Sequence, residues 1–185
     1  NQLPDQVPIH FGLNGQADNY AGKAFVVFGL PLLMAALQVL LLVVTMADPK
    51  GKNIAAKPFG LLLWICPLVS LFCGTMTYAK ALALPVDINL VGGLFLGLMF
   101  LVVGNYLPKC KQTYTVGIRL PWTLADEDNW AYTHRLAGKV WTIGGLVILA
   151  LTFLRLPVPQ FVVILVLVLI PTAASFLYAR RRETK

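Results

Sequence analysis

Five long apolar runs restrict this chain to folds that can live in lipid. They cover roughly Ala24–Met46, Pro58–Tyr78, Ile88–Leu107, Val140–Leu154 (extending back toward Leu136) and Phe161–Tyr178. A membrane-crossing helix needs about 20 mostly apolar residues, and in lipid its backbone must satisfy its own hydrogen bonds. The nearest charges, Lys80 and Lys139, stand at edges where a long side chain can reach the headgroups. Hydrophobic residues make up 58% of the chain and charged residues 12%, with a mean hydropathy of +0.74. A soluble domain carries about 25% charged residues, and a disordered one needs low hydrophobicity. Both classes are excluded. The expected fold is an all-α membrane protein with five transmembrane helices. A polar outer segment, 1–23, precedes a helical domain, 24–185, whose loop 108–139 holds an amphipathic helix.

The basic residues predict the orientation. Lys23, Lys80 and Arg155 fall on one side of such a bundle, and the other twelve Lys and Arg on the opposite side. Basic loops stay in the cytoplasm. That places Asn1 outside, and loop 108–139 and the C-terminus in the cytoplasm. The net charge of +7 then reads as topology rather than as direct nucleic-acid binding. An outer N-terminus without a visible signal peptide requires translocation of a short tail, or a hydrophobic helix before Asn1.

Smaller signals lie within the runs. Cys66 and Cys73 would stand about 10 Å apart along a helix, too far for a disulfide. With Cys110 in a basic loop, three free thiols are expected. Gly93 and Gly97 form a small-xxx-small pair, which marks either a close helix contact, within or between chains, or only the abundance of glycine in membrane helices. Pro31, Pro67 and Pro171 free backbone groups that neighbours must satisfy. Gln38 and Asn89 are uncharged and no Asp or Glu lies in mid-membrane, which argues against a pump or secondary transporter.

Two polar segments remain to carry function. The outer one is Leu3-Pro-Asp-Gln-Val-Pro-Ile-His-Phe-Gly-Leu-Asn-Gly-Gln-Ala-Asp18. Asn14-Gly15 is a turn signal, and Ile9, His10 and Phe11 look extended. Asp5, His10 and Asp18 can be drawn around a cation, with His10 and Asp18 the candidate ligands, but such residues more often cap turns, so no metal is expected. In the inner one, Thr123 followed by Asp126 reads as a helix start. Trp130, His134, Ala137 and Trp141 share one helical face. The expectation is a helix lying along the membrane surface and running into the fourth span, with Trp122, Trp130 and Trp141 at headgroup level. No HExxH, GxSxG or P-loop pattern occurs. No catalytic residue, enzyme activity or cofactor is expected.

The same two segments resemble the SdpI family of bacterial multi-pass membrane proteins. The outer segment is similar to the family's LPDxxPxHFxxxGxxD signature through Pro4, Asp5, Pro8, His10, Phe11, Gly15 and Asp18. The inner one is similar to GIRxPWTLxxxxxWxxTHRxxGK through Gly117, Arg119, Pro121, Trp122, Thr123, Trp130, Thr133, His134, Arg135, Gly138 and Lys139, with Asn105-Tyr106 upstream. The resemblance implies one more helix before the first motif, hence six spans in the full-length protein. It implies immunity to a secreted membrane-active peptide toxin. It also implies signalling, in which the protein sequesters a small cytoplasmic DNA-binding repressor at the membrane. On that mapping the outer residues face the toxin or the lipid around it. Asn105 and the residues from Gly117 to Arg135 face the repressor. Competing expectations are a transporter or channel for a small amphiphile, a membrane enzyme, and a structural subunit forming a homo-oligomer through Gly93 and Gly97. The first needs a polar mid-membrane cavity, for which the spans offer little beyond Gln38, Ser70, Thr75 and Thr77.

Overall fold

Each apolar run is a helix, and the polar segment before them is a β-hairpin. The computed structural model describes residues 2–183. Strand β1 (Gln6–Phe11) pairs antiparallel with β2 (Ala17–Gly22). The tip closes where the Asn14 side chain accepts from the Gln16 N–H and Gly15 takes φ +73°, a left-handed geometry that glycine enters without penalty.

The first span opens with a π-helical turn, Phe25–Gly29, and continues as α1 (Leu30–Met46). The wide turn sits just before Pro31, whose ring would otherwise clash with the carbonyl four residues back. Then follow α2 (Ala56–Ala81), α3 (Ile88–Tyr106), the short α4 (Pro121–Ala125), α5 (Glu127–Phe153) and α6 (Pro157–Glu183). Among the described residues, five helices are long and apolar enough to cross a membrane. Leucines and valines of α1 such as Leu32, Leu33, Val39 and Leu40 stand exposed, as side chains facing lipid would.

Two expectations about the inner loop are corrected. The fourth helix begins at Glu127, so 127–139 is the first part of one uninterrupted 27-residue rod. With no proline inside it, nothing bends it onto the membrane surface. Its N-cap is Asp126, which accepts from the Asp128 N–H. Thr123 instead lies inside α4, where its hydroxyl accepts from the Leu120 N–H at 2.9 Å. All three cysteines are free.

Helices α3, α5 and α6 form the densely packed part. Phe100, Ile148 and Leu167 make its core, and Trp141 meets Phe100 edge-on at 5.3 Å. Glycines set how close α3 and α5 come. A Cβ on Gly97 would lie 2.7 Å from the Leu149 side chain, and one on Gly145 would lie 2.8 Å from the Gly97 carbonyl. A Cβ on Gly104 would lie 2.8 Å from the Thr142 N, and one on Gly138 would lie 2.9 Å from the Gly104 carbonyl. The Gly93/Gly97 face is therefore a contact within this chain.

The α1–α2 pair is held to this unit differently. Phe72 of α2 stacks on Phe95 of α3 at 4.0 Å, and apolar crevices of about 280 and 220 Å³ open alongside.

Candidate functional site

Polar structure gathers at the two ends of the bundle. At the hairpin end, Val7 and Pro8 are buried while Pro4, Asp5, His10 and Asp18 are exposed. The His10 Nδ1 and Asp18 Oδ1 lie 2.5 Å apart across the strands. Asp5 does not join them. It sits at the far end of β1, where its carbonyl accepts from the Lys23 N–H. Among the described residues no group of three potential ligands gathers around a metal-sized space. Phe11 is half-buried. Gly15 packs against Asn89, whose amide donates to the Leu13 carbonyl at 3.1 Å. The hairpin tip is thereby fastened to the start of α3.

The opposite end is a closed cap built from residues 107–126 over α5. Trp130 is 2% exposed; its indole N–H donates to the Cys110 carbonyl at 2.8 Å. Its ring stacks on His134 at 4.1 Å. His134 bonds with both ring nitrogens: Nε2 accepts from the Ile118 N–H at 2.9 Å, and Nδ1 is 2.8 Å from the Trp130 carbonyl. Since a backbone N–H can only donate, Nε2 must be unprotonated, which puts the proton on Nδ1. Gly117, at φ +124°, lies against both rings. A Cβ there would come 2.5 Å from Nε2 of His134, so no larger residue fits.

A second buried knot ties the cap to α6. Asn129, Thr133 and Ser175 are fully buried. Asn129 donates to the Ser175 carbonyl at 3.1 Å and accepts from its hydroxyl at 2.9 Å. The Trp122 indole donates to the Ser175 hydroxyl at 2.9 Å. Outside the knot, Arg182 holds both Asp126 and Asp128. Of the three tryptophans expected at headgroup level, Trp130 is turned into the cap instead. Trp122, Trp130 and Trp141 each give their indole N–H to a protein acceptor, the last to the Leu167 carbonyl.

A latch joins the cap to the α1–α2 loop, and the sequence did not single it out. Asp48 is 8% exposed. It accepts from the Lys50 and Tyr114 N–H groups at 2.8 and 2.9 Å and from the Thr115 hydroxyl at 2.7 Å. Burial alone would push its carboxyl up. The Thr115 hydroxyl and the N–H groups of Lys50, Tyr114 and Thr115 outweigh burial and hold it below the usual carboxylate range. Gln112 completes the latch. It accepts from Lys50 through its side chain and from Asn53 through its carbonyl, and it donates to the carbonyls of Thr123 and Leu124. Burial pushes the nearby Cys110 thiol up. One cue was legible: Asp48 is the acidic residue in a loop carrying Lys50, Lys52 and Lys57.

The inner signature thus divides in two. Thr123, Trp130, Thr133 and His134 are buried and Gly117 and Trp122 half-buried, so they frame the cap. Asn105, Arg119, Pro121 and Arg135 are exposed. Arg119 also donates to the Tyr114 carbonyl at 2.9 Å.

Spanning helices with a hairpin at one face and a sealed polar cap at the other define a multi-pass helical membrane protein. Within that class, residues 109–179, the cap with α5 and most of α6, match the model of the SdpI/YfhL protein family. A second model, a domain of unknown function called DUF1648, matches residues 1–35. The chain is 27% identical to Immunity protein SdpI of Bacillus subtilis (strain 168) over 186 aligned positions, covering 97% of this chain and 86% of that protein. No solved structure matches the chain.

Proposed function

We propose that the protein gives its bacterium immunity to a secreted membrane-active peptide toxin, without enzymatic chemistry. The similarity to Immunity protein SdpI along nearly the whole chain carries this reading. The charge bias of twelve Lys and Arg against three supports a hairpin facing outward and a cap and C-terminus facing the cytoplasm. In that orientation the hairpin, with exposed His10 and Asp18, meets the toxin. The exposed Asn105, Arg119, Pro121 and Arg135 meet a small DNA-binding repressor and sequester it at the membrane. The buried residues of the inner signature act by holding those four in place.

The test is survival. The chain is expressed in a susceptible bacterium and challenged with a cannibalism-type peptide toxin, while membrane capture of the repressor is followed separately. Protection should persist in Arg119→Ala and Arg135→Ala while capture of the repressor is lost. His10→Ala and Asp18→Ala should weaken protection with normal amounts of protein in the membrane. Equal loss of both activities in the arginine variants, at normal protein levels, would sink the division between faces.

A cavity of about 440 Å³ between α1 and α2, lined in part by Ser70, Thr75 and Thr77, favours one second reading, a transporter or channel for a small amphiphile. It predicts toxin-independent efflux of an amphiphilic dye, which immunity by binding does not.

A further inference from the structure

At the hairpin end a cavity of about 380 Å³ lies between the hairpin tip, the start of α3 and the α5–α6 turn. Its wall is mixed, unlike those of the crevices beside α2. Leu13 and Leu156 supply apolar surface; Asp87, Asn89, Arg155 and Gln160 supply polar groups.

The polar groups sort into two kinds. Asn89 uses its amide N–H on the Leu13 carbonyl, leaving Oδ1. Gln160 uses its N–H groups on the Thr152 hydroxyl and the Ile148 carbonyl, leaving Oε1. Asp87 caps α3 with Oδ1, leaving its other oxygen. These acceptors have no further partner among the described residues, and together they suit an N–H-bearing cation. Arg155 is the opposite: a guanidinium with five donors, exposed and with no hydrogen bond or ion pair among the described residues. It suits an oxyanion.

A ligand matching both carries an ammonium and an oxyanion a few bonds apart. The cavity lies at the ends of three spanning helices, which is headgroup depth. We propose that it binds the headgroup of a zwitterionic phospholipid of the phosphoethanolamine class. The ammonium sits among Asp87, Asn89 and Gln160, the phosphate lies on Arg155, and the acyl chains leave past Leu13 and Leu156. The proposal does not depend on the immunity reading.

The backbone supplies a clean variant. The Arg155 N–H donates to the Thr152 carbonyl and the Leu156 N–H to the Leu151 carbonyl, which closes α5 with Arg155 at φ +56°. Glycine is the residue that usually fills this position. Arg155→Gly therefore removes the cation and relaxes the turn.

The experiment is native mass spectrometry of the full chain in detergent, with phosphatidylethanolamine, phosphatidylcholine and phosphatidylglycerol of identical acyl chains. Phosphatidylethanolamine should be retained best, because choline has no N–H and glycerol no cation. Arg155→Gly and Gln160→Leu should each cut its retention about ten-fold, the worth of one charge-assisted hydrogen bond. Lys52→Ala, on the far face, should not, and Arg155→Gly should melt no lower than wild type. Equal retention of the three lipids, or wild-type retention in both cavity variants, would overturn the proposal. So would saturation by free phosphoethanolamine, or by the dipeptide dialanine, at the concentration that saturates the lipid. Those results would assign the cavity to a soluble zwitterion or to a peptide terminus.

Discussion

The two sides of α3 solve the same problem in opposite ways. Toward α5 it presents Gly93, Gly97 and Gly104, all buried, and the backbones approach until a single methyl would clash. Toward α2 it meets one stacked phenylalanine pair and otherwise leaves crevices. In lipid no hydrophobic force drives helices together, so association rests on packing and hydrogen bonds. The glycine seam maximises packing and yields a rigid three-helix unit. The other seam has little of either along its length and is held at its ends, by the Asn89–Leu13 bond and by the Asp48 latch.

The largest expected effect breaks the tight seam. Gly145→Leu or Gly97→Leu should abolish recovery of a monodisperse folded protein, since the new side chain meets backbone or a packed leucine that cannot yield. Gly92→Ala, whose Cβ would meet nothing within 4 Å, should melt like wild type in detergent. A folded, stable Gly145→Leu would show that the seam tolerates separation.

Next comes the cap. Trp130→Ala should cost about 3–5 kcal/mol and expose residues 110–120 to trypsin at Lys111 and Arg119. Unchanged digestion would mean that the indole does not hold this loop.

The smallest effect concerns the latch. Asp48→Asn should cost about 1.5–3 kcal/mol, the range for hydrogen bonds to a charged group. Amide exchange should rise at 112–116 and not along α5. Because the folded carboxyl is held below its ordinary value, its contribution is present above the unfolded value of about 3.9. It is lost as pH falls through the folded value. Acidification across that window should loosen 112–116 in wild type and make no further difference in Asp48→Asn.

The number and order of the spanning helices were legible because lipid leaves only a few ways to satisfy a backbone, and apolar runs report one of them directly. The hairpin was legible in part, through Asn14-Gly15 and the alternation around His10. The interior of the cap was not. Trp130 and His134 read equally well as a face for a partner or for lipid, and only the packing shows them turned inward. Gly138 was read only as part of the inner signature and Gly145 not at all, because α3 carries the recognisable small-residue pair. The spacing that matters is a match between two helices far apart in sequence. Asp48 looked like an ordinary loop acid, since beyond the local Lys50 N–H its donors, Tyr114 and Thr115, lie more than sixty residues away.

The spacing of the seam glycines limits which motions remain. Gly97 and Gly104 are seven residues apart, as are Gly138 and Gly145 across from them. Sliding α3 along α5 would press side chains onto backbone until the next matching register, about 10 Å away at 1.5 Å per residue. Axial displacement is thus blocked. The α1–α2 pair, pinned at the hairpin tip and at the latch, keeps one less costly degree of freedom: swinging about the line through those two pins, like a leaf on a fixed frame, opposed along the seam by the Phe72–Phe95 stack. Such a swing widens or narrows both crevices at once and leaves every glycine contact untouched.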